Sequence, residues 1–172
     1  YPTVPVEHVD AAPLTVLSGF LRNGFLHRAI REQGGAYGGG ASHDASIGAC
    51  RVYSYRDPRL EETLQDFDSA LEWLADNEHD EEQLEQAILG VISSLDKPGS
   101  PAGEAKQAFH SELFGRSHTQ RSEFRQRILK VSLEDLQRVA NTYLKPELAS
   151  TAVITSPSNY EQLSAFIEKE GL

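Results

Sequence analysis

The sequence predicts an α+β fold: a mostly antiparallel sheet with helices packed on one face. Three observations carry that expectation. From Ile47 to Tyr55 the residues alternate, with Ile47, Ala49, Arg51, Tyr53 and Tyr55 on one face and Gly48, Cys50, Val52 and Ser54 on the other. Immediately ahead lies a glycine-dense segment, Gly34 to Gly40, in which five of seven residues are glycine. On both sides of this pair, apolar residues recur at spacings of three and four, the signature of helices with one buried face.

Taken in order, Tyr1 to Val9 is rich in Pro and Val and reads as an extended lead-in. Asp10 is the expected N-cap of a helix from Ala11, with Pro13 tolerated in the first turn. Leu14, Leu17, Leu21 and Phe25 form its apolar face, and the helical pattern runs on through Leu26 to Gln33 until Gly34 ends it. Two strands follow, about Ala36 to Ala45 and Ile47 to Tyr55, with a hairpin turn at His43 to Ser46. Asp57-Pro58 breaks the second strand and opens a helix.

The remainder is mostly helical. Leu60, Leu64, Phe67, Leu71 and Leu74 make one stripe, and Leu84, Ile88, Val91, Ile92 and Leu95 another. Asp80 with Gln83 has the spacing of a capping box. After the turn at Pro98 to Pro101, helices are expected near Ala102–Phe114, Arg121–Leu129 and Leu133–Leu144, the last capped by Ser132 with Asp135. Ala149 to Thr155 reads as a final strand. Ser158 with Glu161 caps a closing helix with Leu163, Phe166 and Ile167 inside. Three strands make a thin sheet, so a further strand is expected before Tyr1 or in the lead-in.

Composition excludes several function classes. A net charge of −10 over 172 residues argues against a nucleic-acid partner, because phosphate binding needs clustered Lys and Arg. No run approaches the roughly 18 apolar residues that a membrane-spanning helix requires. Cys50 is the single cysteine, which rules out an intrachain disulfide and a cysteine metal cage and fits an intracellular setting, cytoplasm or organelle lumen. The chain opens at Tyr1 and contains no Met, so it reads as a piece or processed product of something longer.

The sequence carries none of the common self-contained catalytic motifs. The glycine run does not align with G-x-G-x-x-G, and no phosphate loop or G-x-S-x-G is present. The six histidines include no pair at the three- or four-residue spacing that zinc binding on a helix needs, and H-x-x-E-H is absent. His43-Asp44 reads as a turn pair. What stands out is the glycine run flanked by Arg31 and Tyr37. Taken alone, Arg31 also suits a helix C-terminus, where a cation meets free carbonyls, and Tyr37 suits ordinary strand packing.

The segment Phe25-Leu26-His27-Arg28-Ala29-Ile30-Arg31-Glu32-Gln33-Gly34-Gly35-Ala36-Tyr37-Gly38 resembles the C-terminal half of the pitrilysin/insulinase family of inverted-zincin metallopeptidases. It is closest to the presequence-protease-like branch, whose members carry I-R-E-K-G-G-A-Y-G; Gln33 stands here for the common Lys. Asp10-Ala11-Ala12-Pro13-Leu14, Ser54-Tyr55-Arg56-Asp57-Pro58 and Leu95-Asp96-Lys97-Pro98-Gly99-Ser100-Pro101 resemble further pieces of that branch in the same order.

The resemblance implies that residues 1–172 form a single domain, the fourth and C-terminal one of a longer zinc metalloendopeptidase that degrades peptides. It implies no metal in this chain, with zinc held by the N-terminal half of the same polypeptide, so this chain alone is not assigned an activity. Arg31 and Tyr37 would be catalytic residues that reach the substrate and stabilise the oxyanion. Gly34, Gly35, Ala36 and Gly38 would bind substrate, the glycines letting a peptide backbone lie close. The partners implied are that N-terminal half and peptide substrates, with no nucleic acid and no membrane. The alternative is a non-catalytic member of the same fold acting as a core or regulatory subunit.

Overall fold

The computed structural model describes residues 1–76, 78–113 and 117–156 of the chain. Its first helix, α1 (Ala11–Leu21), is buried on nearly every side: Ala11, Ala12, Leu14, Val16 and Leu17 have no exposed surface. A helix that is apolar all round can be stable only as the centre of a core. Accordingly α3 (Glu81–Leu95), α5 (His118–Ile128) and α6 (Leu133–Tyr143) pack around it, and α2 (Glu61–Asp76) touches it from a further side.

The hairpin closes the core. Strand β1 (Gly38–Asp44) pairs antiparallel with β2 (Ala49–Tyr55), from Gly38 opposite Tyr55 to Asp44 opposite Ala49. The predicted alternation is present, with Cys50 buried and Arg51, Tyr53 and Tyr55 outside. The inner face meets α1 through two polar contacts: Ser18 Oγ lies 3.6 Å from Cys50 Sγ, and Thr15 Oγ1 2.9 Å from His43 Nδ1. His43 is therefore an inward strand residue, not a turn residue; the turn itself falls at residues 45–48, two positions later than expected.

The lead-in partly supplies the extra strand. Pro2 bridges Ala49, Cys50 N–H donates to Tyr1 O at 2.9 Å, and Thr3 N–H donates to Gly48 O at 2.6 Å. Proline is tolerated there because the edge position demands no donor. Arg127 then fastens the next residues to α5, its guanidinium donating to Val6 O at 2.6 Å and His8 O at 2.7 Å.

Three expectations are corrected. Asp10 does not cap α1 with its side chain. The carboxylate instead turns to α6, accepting from Tyr143 Oη at 2.7 Å and pairing with Arg138 Nη1 at 2.7 Å. Charge-assisted bonds to a distant helix outweigh a local cap that water could replace. Asp80 caps α3 through the Glu82 N–H at 3.0 Å, in place of a reciprocal box with Gln83. Residues 149–156 carry no strand: Ile154 is fully exposed, because strand propensity has no effect without a neighbouring ladder. The Ser158–Glu161 cap, the Leu163, Phe166 and Ile167 face and the helix end at Phe114 lie outside the described residues.

Other caps match. Ser132 and Asp135 form a reciprocal box on α6, and Ser117 with Gln120 forms one on α5, starting that helix three residues before the expected Arg121. Helix α4 (Pro101–Leu113) buries none of its residues, and Phe109 and Leu113 are each 65% exposed.

A buried carboxyl and a half-buried imidazole give the fold a pH signature. Burial opposes ionisation of Asp10, yet the Tyr143 hydrogen bond and the Arg138 guanidinium prevail and hold its carboxyl below the ordinary value. Burial likewise pushes the His43 imidazole below its ordinary value. Both groups bind protons more tightly in the unfolded chain, so both favour the fold at higher pH and lose that contribution on acidification. Melting temperature should fall as pH drops from about 6.5, the step that His43→Gln should blunt, and again below about 3.9, the step that Asp10→Asn should blunt. At neutral pH, Asp10→Asn should cost about 1–3 kcal/mol, read from denaturant midpoints.

Candidate functional site

The chain does not stop at Leu21 but widens. Arg22–Gln33 forms a π-helix, and Gly34 N–H donates to Ala29 O, five residues back, at 2.9 Å. Such wide turns are uncommon and occur at functional sites more often than elsewhere. Leu26, Ala29 and Ile30 face the core, while Arg28, Arg31, Glu32 and Gln33 face out. Trp73 from α2 seats against this helix and stacks with Phe20 and Phe25 at centroid distances of 5.5 Å and 6.0 Å.

The glycine run joins this helix to β1, and most of its small residues are accounted for by contacts within the chain. Gly35 has φ +80°, the left-handed conformation that ends helices, and its N–H donates to Arg31 O at 3.2 Å. Ala36 N–H donates to Ile30 O at 3.1 Å, folding the loop back on the last turn. Gly34 is buried under the Arg59 guanidinium; a Cβ there would collide with it and lie 2.5 Å from Ile30 O. A Cβ on Gly38 would overlap the Tyr55 ring.

Arg59 is itself held by several partners. Its Nη2 donates to Asp66 Oδ2 at 2.8 Å and to Ala29 O at 3.3 Å, and its backbone N–H donates to Asp57 Oδ1 at 3.0 Å. Thr63 Oγ1 donates to the other Asp57 oxygen at 2.7 Å. The break after β2 thus clamps the end of the π-helix, a link that no local sequence pattern announces.

Arg31 and Tyr37 both emerge at this corner, one on the last turn of the helix and the other just ahead of β1. Arg31 is exposed, its Nη1 lying 3.4 Å from His27 Nε2, and His27 Nδ1 is 3.4 Å from Glu32 Oε1. Tyr37 is 61% exposed, and its N–H donates to Arg56 O at 3.2 Å. Its ring meets Tyr55 edge-on at 5.4 Å, with the Arg56 guanidinium carbon 5.2 Å from the ring centre. Of the other expected site residues, Gly35 is exposed, Gly38 is half-buried beneath Tyr55, and Gly34 and Ala36 are buried. The sequence assigns no site role to Tyr55, Arg56 or Arg59, although Tyr55 and Arg56 lie in the Ser54-to-Pro58 segment that carries part of the resemblance; their contacts with the loop form only when the chain folds back on itself. Among the described residues, no group of three or more His, Cys, Asp or Glu side chains is placed to hold a metal ion.

A two-stranded hairpin under a helical cluster, with Arg31 exposed on the π-helix and Tyr37 exposed on the loop that leads into β1, makes this an α+β domain. The PreP C-terminal domain family matches residues 5–156, and the chain belongs to that family. It is 42% identical over 143 residues to the mitochondrial presequence protease of Yarrowia lipolytica, covering 83% of this chain and 14% of that protein. The corresponding protein of Kluyveromyces lactis is 38% identical over 155 residues, covering 90% of this chain and 16% of the relative. That of Mus musculus is 37% identical over 142 residues, covering 83% and 13%. The chain therefore spans about a seventh of the length of the curated relatives it matches.

The Gly34–Arg59 contact sets a test. Gly34→Ala should destabilise the chain by about 1–3 kcal/mol, since neither Ile30 O nor the anchored Arg59 can yield freely. Adding Arg59→Ala should recover part of that loss in a double-mutant cycle; strictly additive losses would show that the two residues do not compete for space.

Proposed function

We propose that this domain is the C-terminal substrate-binding part of a zinc metalloendopeptidase that degrades peptides, supplying Arg31 and Tyr37 to the reacting carbonyl. The observation that carries the reading is their shared exposure at one corner: a loop folded back by two backbone bonds ties the end of the π-helix to the start of β1. Membership of the PreP C-terminal domain family and relatives named as presequence proteases support it.

Zinc, when bound by the N-terminal half of the same polypeptide, supplies the Lewis acid for peptide hydrolysis; no residue of this chain is assigned to it. The contribution of this domain is electrostatic. Nucleophilic attack on a peptide carbonyl places negative charge on oxygen, and a guanidinium with a phenolic O–H donates to that charge. Donors fixed before the reaction cost no reorganisation at the transition state. The anchoring of the loop by Arg59 and of the Tyr37 ring by Tyr55 provides that fixation. Gly34, Gly35, Ala36 and Gly38 serve through the backbone, setting the path of the loop rather than offering side chains. Among the described residues β1 pairs only with β2, and strand addition of an extended peptide to its other edge is part of this proposal. The relatives' names place them in mitochondria, which supports an organelle lumen as the working compartment.

In the full-length protein, Arg31→Ala and Tyr37→Phe should each lower kcat by about 10²–10³-fold with little change in KM, as expected for a donor that acts on the oxyanion. Melting temperatures should stay near that of the parent, because both side chains are exposed. Steady-state kinetics on a fluorogenic peptide reads the effect; unchanged kcat in both variants would contradict the assignment.

A further inference from the structure

We infer that Arg56 is a positioning residue for Tyr37, holding the phenol from both its backbone and its ring face. The inference rests on the reading that the Tyr37 hydroxyl acts on substrate. Among the described residues Arg56 is the one non-glycine residue with positive φ, at 50°. A side chain pays for that conformation, and such outliers persist where the surroundings demand them and gather at functional sites. The sequence could have placed glycine here, as it does at five of the seven positions from 34 to 40, but retains arginine.

The geometry shows what the strain achieves. The left-handed turn after β2 directs the Arg56 carbonyl to Tyr37 N–H at 3.2 Å, extending the ladder one step beyond the Gly38–Tyr55 pair. The same residue places its guanidinium carbon 5.2 Å from the Tyr37 ring centre, within cation–π range. Tyr55 supports the ring from its edge at 5.4 Å, seated where Gly38 has no side chain. A tyrosine that is 61% exposed would otherwise sample several rotamers, and each unproductive one lowers the rate. Glycine at position 56 would keep the backbone carbonyl in place and remove only the cation, so the two contributions can be separated.

The test uses the full-length protease with Arg56→Gly, Arg56→Lys, Tyr37→Phe and the double variant Tyr37→Phe/Arg56→Gly. Arg56→Gly is expected to lower kcat by about two- to fivefold, the loss of one exposed cation–π contact, with KM unchanged and a melting temperature no lower than the parent's. Arg56→Lys should restore part of the rate. In the Tyr37→Phe background, removing Arg56 should cost nothing further, because no hydroxyl remains to be positioned. Parental kcat in Arg56→Gly alongside a large loss in Tyr37→Phe would overturn this inference and leave the oxyanion reading standing. An equal loss from Arg56→Gly in both backgrounds, or a loss that follows a lowered melting temperature, would overturn it as well. A Tyr37→Phe variant with parental kcat would instead remove the reading on which the inference rests.

Discussion

Everything in this domain is arranged around the burial of α1. Leu14, Leu17, Phe20 and Leu21 are each no more than 2% exposed, and Val16 and Ala12 close the opposite side. Large-to-small changes at such positions cost about 2–5 kcal/mol, a large share of the stability of any small domain. Satisfying that one helix requires α3, α5 and α6 around it and a hairpin against its remaining side. The hairpin is thus held where it is by the demands of the core. Arg31 and Tyr37 inherit fixed positions because the π-helix continues α1 without a break and the glycine loop returns directly to β1.

Two glycines of the loop make room for the chain's own side chains. Gly34 admits the Arg59 guanidinium and Gly38 admits the Tyr55 ring, so the loop is packed from inside while its outer side carries Tyr37. Rigidity and exposure are usually in competition at a surface. Here the competition is resolved by placing the fixed groups, Arg59, Asp66 and Asp57, behind the loop. A preorganised donor needs this arrangement, since a mobile one would give back in entropy what it gains in electrostatics.

Much of this was legible from the residues. The alternation at Ile47 to Tyr55 identified the inner and outer faces of β2, because a half-buried strand has only one way to satisfy a period of two. The apolar stripes located α2 and α3, and Gly34 marked the end of the long helix. The errors have physical causes. Asp10 has the composition of a cap, but its partners Tyr143 and Arg138 lie more than 120 residues away, beyond any local signal. The π-helix buries Leu26, Ala29 and Ile30, a spacing that an α-helix would also show, so periodicity could not separate the two. Ala149 to Thr155 has strand propensity, but propensity becomes structure only when a ladder is at hand. Arg31 and Tyr37 enter the proposal through the motif they belong to, and the structure places both at the surface. Tyr55 and Arg56 lie in the Ser54-to-Pro58 segment that shares the resemblance, but their contacts with Tyr37 could not be read there, because a positive φ at arginine and a pairing across the hairpin are visible only in the backbone.

The claim at the centre is that Arg31 and Tyr37 converge on the oxygen that gains charge during peptide cleavage. A crystal structure of the full-length protein with a phosphinic peptide bound tests it most directly, because the tetrahedral phosphinyl oxygen stands where the oxyanion would form. The account predicts the Tyr37 hydroxyl and the Arg31 guanidinium both within about 3.2 Å of that oxygen, with the loop from Gly34 to Gly38 unmoved. An inhibitor seated with both side chains out of hydrogen-bonding reach would contradict it.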